Sequence, residues 1–481
     1  MAANLLWIFC EDLSPWFSAY GDTTVPTPVL DRLARDGVVF RNCHSPAPVC
    51  SPARSGIITG CWPSSIGVHQ HVSSRTWAGM PPICLPGPVR PLPTLLREAG
   101  YFTYNLGKDD YNFAHRREEL YAGPYEVLEF YGPQHVGHRM TDYPREWAFW
   151  RQRAAGQPFF GQVTLWAGKN PRRVAPPTDP TSIRLERCYP DTPTFRAQRA
   201  AHYDQIRTTD AEVGEIMAAL RADGLLESTW IVFMSDHGYD MLRAKQFCYD
   251  GGTHVPLIVR PPDGADAAMR RGSVREDMTS SLDITATSLA LLGLPVPGWM
   301  QSRDLFAPAY RRDFVVSGRD RCDGTVDLTR SVRTRRYRYV QNFLPDRPLM
   351  QPQYRSKSAC YVEYRRLWRE GKLSPEAAYF AGDTRLPEEL YDHVNDPDEV
   401  TNLAADPAHR AVLEVHRAML AQWQQEIGDR GGQPEPVEQL RWLYAKWGPE
   451  QCWGPEYDAV RTDGCHPDPF PLRPRTGGQA L

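Results

Sequence analysis

Five consecutive apolar residues, Leu5-Leu6-Trp7-Ile8-Phe9, run almost directly into two carboxylates, Glu11-Asp12. So short and unbroken an apolar run has no polar face to offer water. It reads as a strand covered on both sides, the condition of strands in a parallel sheet. The pattern recurs along the first 310 residues of the 481-residue chain. Residues 101–106 lead into Gly107-Lys108, residues 159–166 into Gly168-Lys169-Asn170, and residues 229–234 into Ser235-Asp236-His237-Gly238. Val38-Val39-Phe40 and residues 255–259 read as two further strands. Helical segments lie between them: Thr27-Pro28 with Val29, Leu30 and Leu33 up to Gly37, residues 92–99 before Gly100, residues 194–222 before Gly224, and residues 283–292 before Gly293. Proline opening a helix and glycine closing it are the expected punctuation. The alternation predicts an α/β fold, a large, mostly parallel sheet sandwiched by helices. Polar residues gather at the strand ends, where open α/β sheets place their sites.

The texture changes after residue 310. Phe314-Val315-Val316, residues 337–342 and Glu389-Leu390-Tyr391-Asp392 are strand-like, Asn395-Asp396-Pro397-Asp398 is a turn, and residues 407–427 form an amphipathic helix. The expected division is a catalytic domain over 1–310, a smaller C-terminal α+β domain with an antiparallel sheet over 311–430, and a Pro/Trp-rich arm over 431–481. With little periodicity, the arm is expected to extend over the body or a neighbouring subunit, which leaves a homo-oligomer open. Arg330 to Arg338, interleaved with tyrosine and valine, reads as a strand with a solvated face.

A net charge of −3 gives no reason to expect nucleic acid or an anionic membrane as partner. No run has the length of a transmembrane helix. Met1-Ala2-Ala3-Asn4 enters the first strand without a signal-peptide pattern, and eleven scattered cysteines fit reduced thiols better than a disulfide framework. The expected location is cytoplasmic.

Cys50-Ser51-Pro52-Ala53-Arg54 follows the turn-rich Ser45-Pro46-Ala47-Pro48-Val49 and precedes an apolar run that stops at Gly60. Cys50 is therefore placed at a helix N-terminus, where unpaired N–H groups and the helix dipole favour an anion. Arg54, one turn on, can reach the same spot. A buried free cysteine before an ordinary helix fits the same local pattern, so the rest of the chain must decide. Glu11, Asp12, Asp236 and His237 together offer three carboxylates and an imidazole, enough for a divalent cation beside Cys50. Lys108 and Lys245 stand near glycines and can balance the charge of a bound anion.

In this order the motifs resemble the sulfatase family of the alkaline-phosphatase superfamily. Ser64-Ser65-Ile66-Gly67-Val68-His69-Gln70-His71 and residues 107–113 look most like its heparan N-sulfatase (sulfamidase) branch and bacterial relatives. The resemblance implies that a maturation enzyme oxidises Cys50 to formylglycine. It also implies a cation held by Glu11, Asp12, Asp236, His237 and the modified Cys50, calcium first, with manganese or zinc open. Arg54, Lys108 and Lys245 are implied as partners of the oxyanion and the formylglycine. Glu11 stands where the family usually has aspartate, and His237 where asparagine is commonest. The usual Lys-x-His reads Lys108-Asp109-Asp110, and Lys169 takes the place of a common histidine. For protonation of the leaving group the candidates are His69, His71, Lys169 and His254, with His71 and Lys169 preferred and His69 and His254 assigned to substrate binding. The implied activity is hydrolysis of a sulfate ester or sulfamate on a small substrate, with a sugar favoured. His237 keeps a phosphonate monoester or phosphodiester hydrolase in view, and an inactive protein that binds sulfated glycans is the distant rival.

Overall fold

The computed structural model of the chain describes residues 3–71, 82–123, 146–169, 174–265 and 269–461. Asn170 and the arm beyond residue 461 lie outside the described residues. The first unit comprises β1 (Asn4–Cys10), α1 (Pro28–Asp36), β2 (Val38–His44), α2 (Cys50–Thr59), α3 (Leu92–Glu98), β3 (Phe102–Leu106), α4 (Arg117–Leu120), β4 (Phe159–Leu165), α5 (Pro193–Ala222), β5 (Thr229–Ser235), α6 (Asp250–Thr253), β6 (Leu257–Arg260), β7 (Ser273–Ser280) and α7 (Ile284–Leu291). Its seven strands form one sheet in the order β3-β4-β1-β5-β6-β2-β7. All neighbours are parallel except β6, which is antiparallel to both β5 and β2.

The period-two alternation of a buried strand decides which face each side chain serves. Leu5, Trp7 and Phe9 of β1 join Trp230, Val232 and Met234 of β5 in one core, packed with Ile57 of α2, Leu96 of α3 and Leu289 of α7. Leu6, Ile8 and Cys10 join Ile231 and Phe233 in the other, under Leu33 of α1 and Ile206, Val213 and Ile216 of α5. Each such side chain contributes roughly 1.5–3 kcal/mol by leaving water. The two-sided burial expected of β1 therefore holds, and the mostly parallel α/β sheet with it.

The second unit begins with β8 (Val315–Arg319), β9 (Thr329–Arg333), β10 (Tyr337–Asn342), α8 (Ala359–Arg369), α9 (Pro375–Ala378), β11 (Glu388–Asp392) and α10 (Arg410–Ile427). Its strands form an antiparallel sheet in the order β11-β10-β9-β8. Val316, Val332, Tyr339 and Leu390 pack beneath Leu413, Leu420 and Trp423 of α10.

Two expectations change here. The arginine-rich stretch is two paired strands, and Arg330, Arg333 and Arg338 are buried. Asp320 and Asp429 hold Arg330, and Asp250 and Glu399 hold Arg338, so charge pairing replaces the solvated face. The start of the arm is α11 (Val437–Trp447), whose Leu440 and Leu443 pack with Cys452, Tyr457 and Val460. Glu435, just before it, pairs with Arg321 at 2.5 Å, which ties this segment to its own chain. Among the described residues no helix is long and apolar enough to cross a membrane.

Candidate active site

Adjacent strand ends bring the predicted residues together. The Glu11 N–H donates to the Leu165 carbonyl at 3.0 Å, and the Asp236 N–H to that of Cys10 at 3.2 Å, so β4, β1 and β5 release their polar residues side by side. Gly168 makes the first junction fit: a Cβ there would lie 1.8 Å from the Glu11 carbonyl oxygen. Asp12 adopts φ 52°, a left-handed conformation held at a cost for a non-glycine residue. Its N–H donates to Asp236 Oδ1 at 3.1 Å, which locks the two carboxylate-bearing turns together.

Cys50 is the first residue of α2, and the helix ends at Gly60 with φ 67°, as the sequence predicts. Its Sγ lies 3.2 Å from His237 Nε2, 3.5 Å from Lys169 Nζ and 4.0 Å from Asp12 Oδ1. Burial raises the thiol pKa, but the ammonium groups of Lys108, Lys169 and Lys245 outweigh it and hold Cys50 below its ordinary value. His237 Nδ1 donates to the Gly238 carbonyl at 2.8 Å, which turns Nε2 toward Cys50 and Asp12. A histidine anchored through one ring nitrogen and open at the other has the posture of a metal ligand. Burial disfavours its charge, yet Asp236, Cys50 and Asp12 push it up to about 9.

Asp12, Cys50, Asp236 and His237 form a buried group whose ligand atoms all lie within 4.8 Å of one another. Two carboxylates, an imidazole and the residue-50 side chain are a donor set that fits a divalent cation. Glu11 is outside that group. Its carboxylate is gripped by Arg54 and Lys169 and accepts from Lys108 at 3.1 Å.

Arg54 makes direct contacts with carboxylates. It is fully buried and donates to Asp236 Oδ2 at 3.1 Å, to Glu11 and to the Lys108 carbonyl at 3.2 Å, with its guanidinium 4.2 Å from the Phe9 ring centroid. It organises carboxylates and does not line the cavity. Lys245 holds Asp12 at 2.6 Å, and Lys108 bridges Glu11 and Asp110. His71 Nδ1 lies 2.7 Å from Ser51 Oγ, and burial pushes its pKa down to about 4.

A cavity of about 460 Å³ opens over this centre, lined by Asp12, Cys50, His71, Lys108, Lys169 and Lys245 among others. His69 and His254 do not line it. His254 stacks on His44 at 5.1 Å and lines a separate cavity. The pKa of His69 is lowered by burial, with Asp320, Arg330, Glu435 and Asp429 the charged groups that act on it. Sequence reasoning missed Asp110, Gln198, Gln205, Asp240 and Tyr354, all of which line the cavity. Gln198, Ala201 and Gln205 stand three and four residues apart on α5, so a polar stripe within that long helix was the available signal.

The sulfatase family model matches residues 3–294. The chain belongs to the sulfatase family. An ulvan-active sulfatase of Formosa agariphila is 31% identical over 459 residues, covering 90% of this chain and 76% of that one. The human N-sulphoglucosamine sulphohydrolase is 28% identical over 479 residues, covering 89% and 90%. Among solved structures, the phosphonate monoester hydrolase of Agrobacterium radiobacter superposes with a TM-score of 0.65 at 20% identity, covering 90% of this sulfatase and 98% of that chain, a likeness of fold.

Proposed function

We propose that this sulfatase hydrolyses a sulfate ester or sulfamate on a sugar, using a formylglycine made from Cys50. The observation that carries the reading is the cage around Cys50 Sγ, with His237, Lys169 and Asp12 within 4.0 Å at the start of a helix and the floor of a cavity. The sugar is supported by the names of the two sequence relatives. A separate maturation enzyme would supply the oxidation that turns the thiol into an aldehyde.

A hydrated aldehyde carries two hydroxyls on one carbon. One attacks sulfur in line, forming the new S–O bond as the bond to the leaving oxygen or nitrogen breaks. The second hydroxyl then loses its proton, the aldehyde re-forms and sulfate departs, so one water is consumed per turnover. Lys108 and Lys245 face the cavity and offset charge on the non-bridging oxygens, the kind of contact worth about two to three powers of ten in rate. Lys169 and His71 are the proton donors at hand for the leaving group. His71 is neutral at neutral pH and is paired with Ser51, so an N–H at that position would come from its neutral tautomer. Asp12, Asp236, His237 and residue 50 would hold a divalent cation, for which we propose calcium on account of the carboxylates. When bound, it supplies Lewis acidity toward the nucleophile and the sulfate oxygens.

Ten described cysteines, all unpaired, support a reducing, cytoplasmic setting, which cell fractionation checks. The decisive experiment measures turnover of matched aryl sulfate and aryl phosphonate by protein whose residue-50 oxidation is verified by peptide mass. Faster phosphonate cleavage, or equal sulfate turnover by Cys50→Ala, overturns the proposal.

A further inference from the structure

The cavity has a wall that the chemistry of sulfate transfer does not use. Gln198, Ala201 and Gln205 of α5 line the same space as Cys50, together with Asp240 and Tyr354. Behind Gln205 sits His202, 2% exposed and fixed by an edge-on contact with Trp16 at 5.2 Å. Donor and acceptor accounting settles how this pair is oriented. The Ser14 N–H donates to His202 Nε2 at 3.4 Å, so Nε2 is the acceptor nitrogen. Burial pushes the ring pKa down to about 3, which keeps it neutral, and the proton must then sit on Nδ1. His202 Nδ1 donates it to Gln205 Oε1 at 2.7 Å. With its oxygen turned to His202, the Gln205 amide is held so that its N–H groups point the other way. A flipped amide would set N–H against N–H and lose that bond.

Gln198 is fixed in the complementary sense. Its Nε2 donates to the Asp240 carbonyl at 3.2 Å, leaving its oxygen as an acceptor. Two helical turns, about 10 Å, separate it from Gln205, with the small side chain of Ala201 between. A wall with an oriented neutral amide at each end suits a hydroxylated ring. It gains nothing from an aryl ring without hydroxyls.

We infer that Gln205 is a specificity-determining residue of this sulfatase, its amide held by His202 so that its N–H groups receive a hydroxyl or ring oxygen of a sugar leaving group. His202 acts through Gln205 and is a positioning residue. The inference rests on the sulfate-hydrolase reading of the cavity and adds the recognition of what carries the sulfate.

The test compares 4-nitrophenyl sulfate with a panel of glucose 2-, 3- and 6-sulfates and glucosamine N-sulfate, on matured, calcium-loaded enzyme. Gln205→Leu keeps the shape and removes the donor. For the best sugar sulfate it should lower kcat/KM about tenfold, mainly through KM, as expected for one lost neutral hydrogen bond. Aryl sulfate, which offers Gln205 no hydroxyl, should lose much less of its kcat/KM than the sugar sulfate, and a cooperative melting curve checks that the variant is folded. His202→Phe frees the amide to rotate and should shift the sugar-to-aryl ratio in the same direction. The double variant should be no worse than Gln205→Leu alone, the signature of residues acting as one unit. Equal losses on both substrate classes, additive effects of the two substitutions, or turnover of aryl sulfate alone by wild type would overturn the role of Gln205. Failure of wild type on every sulfate would overturn the hydrolase reading itself, so the two failures are distinguishable.

Discussion

Arg54→Ala is the most informative single substitution, because the structure couples Arg54 directly to two buried carboxylates of the site. The side chain is wholly buried and neutralises two carboxylates that are themselves buried, Glu11 and Asp236. Removing one partner of a buried pair leaves the others uncompensated, at about 3–5 kcal/mol. Unfolding entropy of about 2 cal/mol/K per residue over roughly 300 residues of α/β unit converts this to a melting point lower by roughly 5–8 °C. The effect should depend on pH. In wild type, burial raises the Glu11 carboxyl but Arg54, Lys108 and Lys169 hold it well below the usual range. A depressed carboxylate contributes stability above its unfolded pKa and loses it as pH falls through the folded one. Without Arg54, Glu11 can neutralise itself by taking a proton, so the gap between variant and wild type should narrow from pH 7 toward pH 4. Differential scanning fluorimetry across that range, with and without chelator, reads both effects. A variant melting within 1 °C of wild type at pH 7, or a gap that widens in acid, refutes the assignment of Arg54 to the carboxylates.

Cys50→Ala should instead melt close to wild type and lose sulfatase turnover, since it removes a single buried atom and no charge partner of a carboxylate; a large fall in melting point would count against this. Gly168→Ala should be severely destabilising, above about 3 kcal/mol, because its Cβ would fall 1.8 Å from the Glu11 carbonyl oxygen and the strand ends cannot part without breaking the site. A soluble, active Gly168→Ala enzyme would show that the junction yields. His202, neutral when folded down to a pKa of about 3, should cost stability as pH falls below 6.5 and the unfolded chain takes up the proton. At about 1.4 kcal/mol per pH unit, His202→Phe should gain about 2 kcal/mol relative to wild type between pH 8 and pH 5, measured by urea unfolding.

The sheet was legible because its strands are buried on both faces and so must be apolar throughout, as β1 and β5 are. β7 was not, since Ser273–Ser280 is polar except at Val274 and Met278 and gains its strand character from pairing with β2. β9 reads in sequence as part of one solvated strand because local pattern cannot reveal that Asp320, just past the end of β8, and Asp429, 99 residues away, close over Arg330. The same limit applies at the site. Glu11, Asp12, Asp236 and His237 announce themselves by standing at strand ends, but which carboxylate faces a cation site and which faces arginine is fixed in three dimensions. Gln205 was invisible for a related reason: its role depends on a histidine tautomer, and that depends on Ser14, 188 residues from His202 in sequence.

These buried pairs share one physical logic. Glu11, Asp12, Asp110 and Asp236 are matched by Arg54, Lys108, Lys169 and Lys245, so the pocket balances its own charge through side chains that touch one another. Arg54 is sunk beneath the strand ends and bonded on three sides, which makes it a permanent counter-charge. The three lysines line the cavity, each paired with a carboxylate near Cys50. A flexible ammonium can exchange one anionic partner for another, whereas a guanidinium held in a fixed fork cannot do so cheaply. The division of labour between one arginine and three lysines therefore follows from their chemistry. The residue bonded on three sides is an arginine, and the residues that line the cavity with exchangeable partners are lysines.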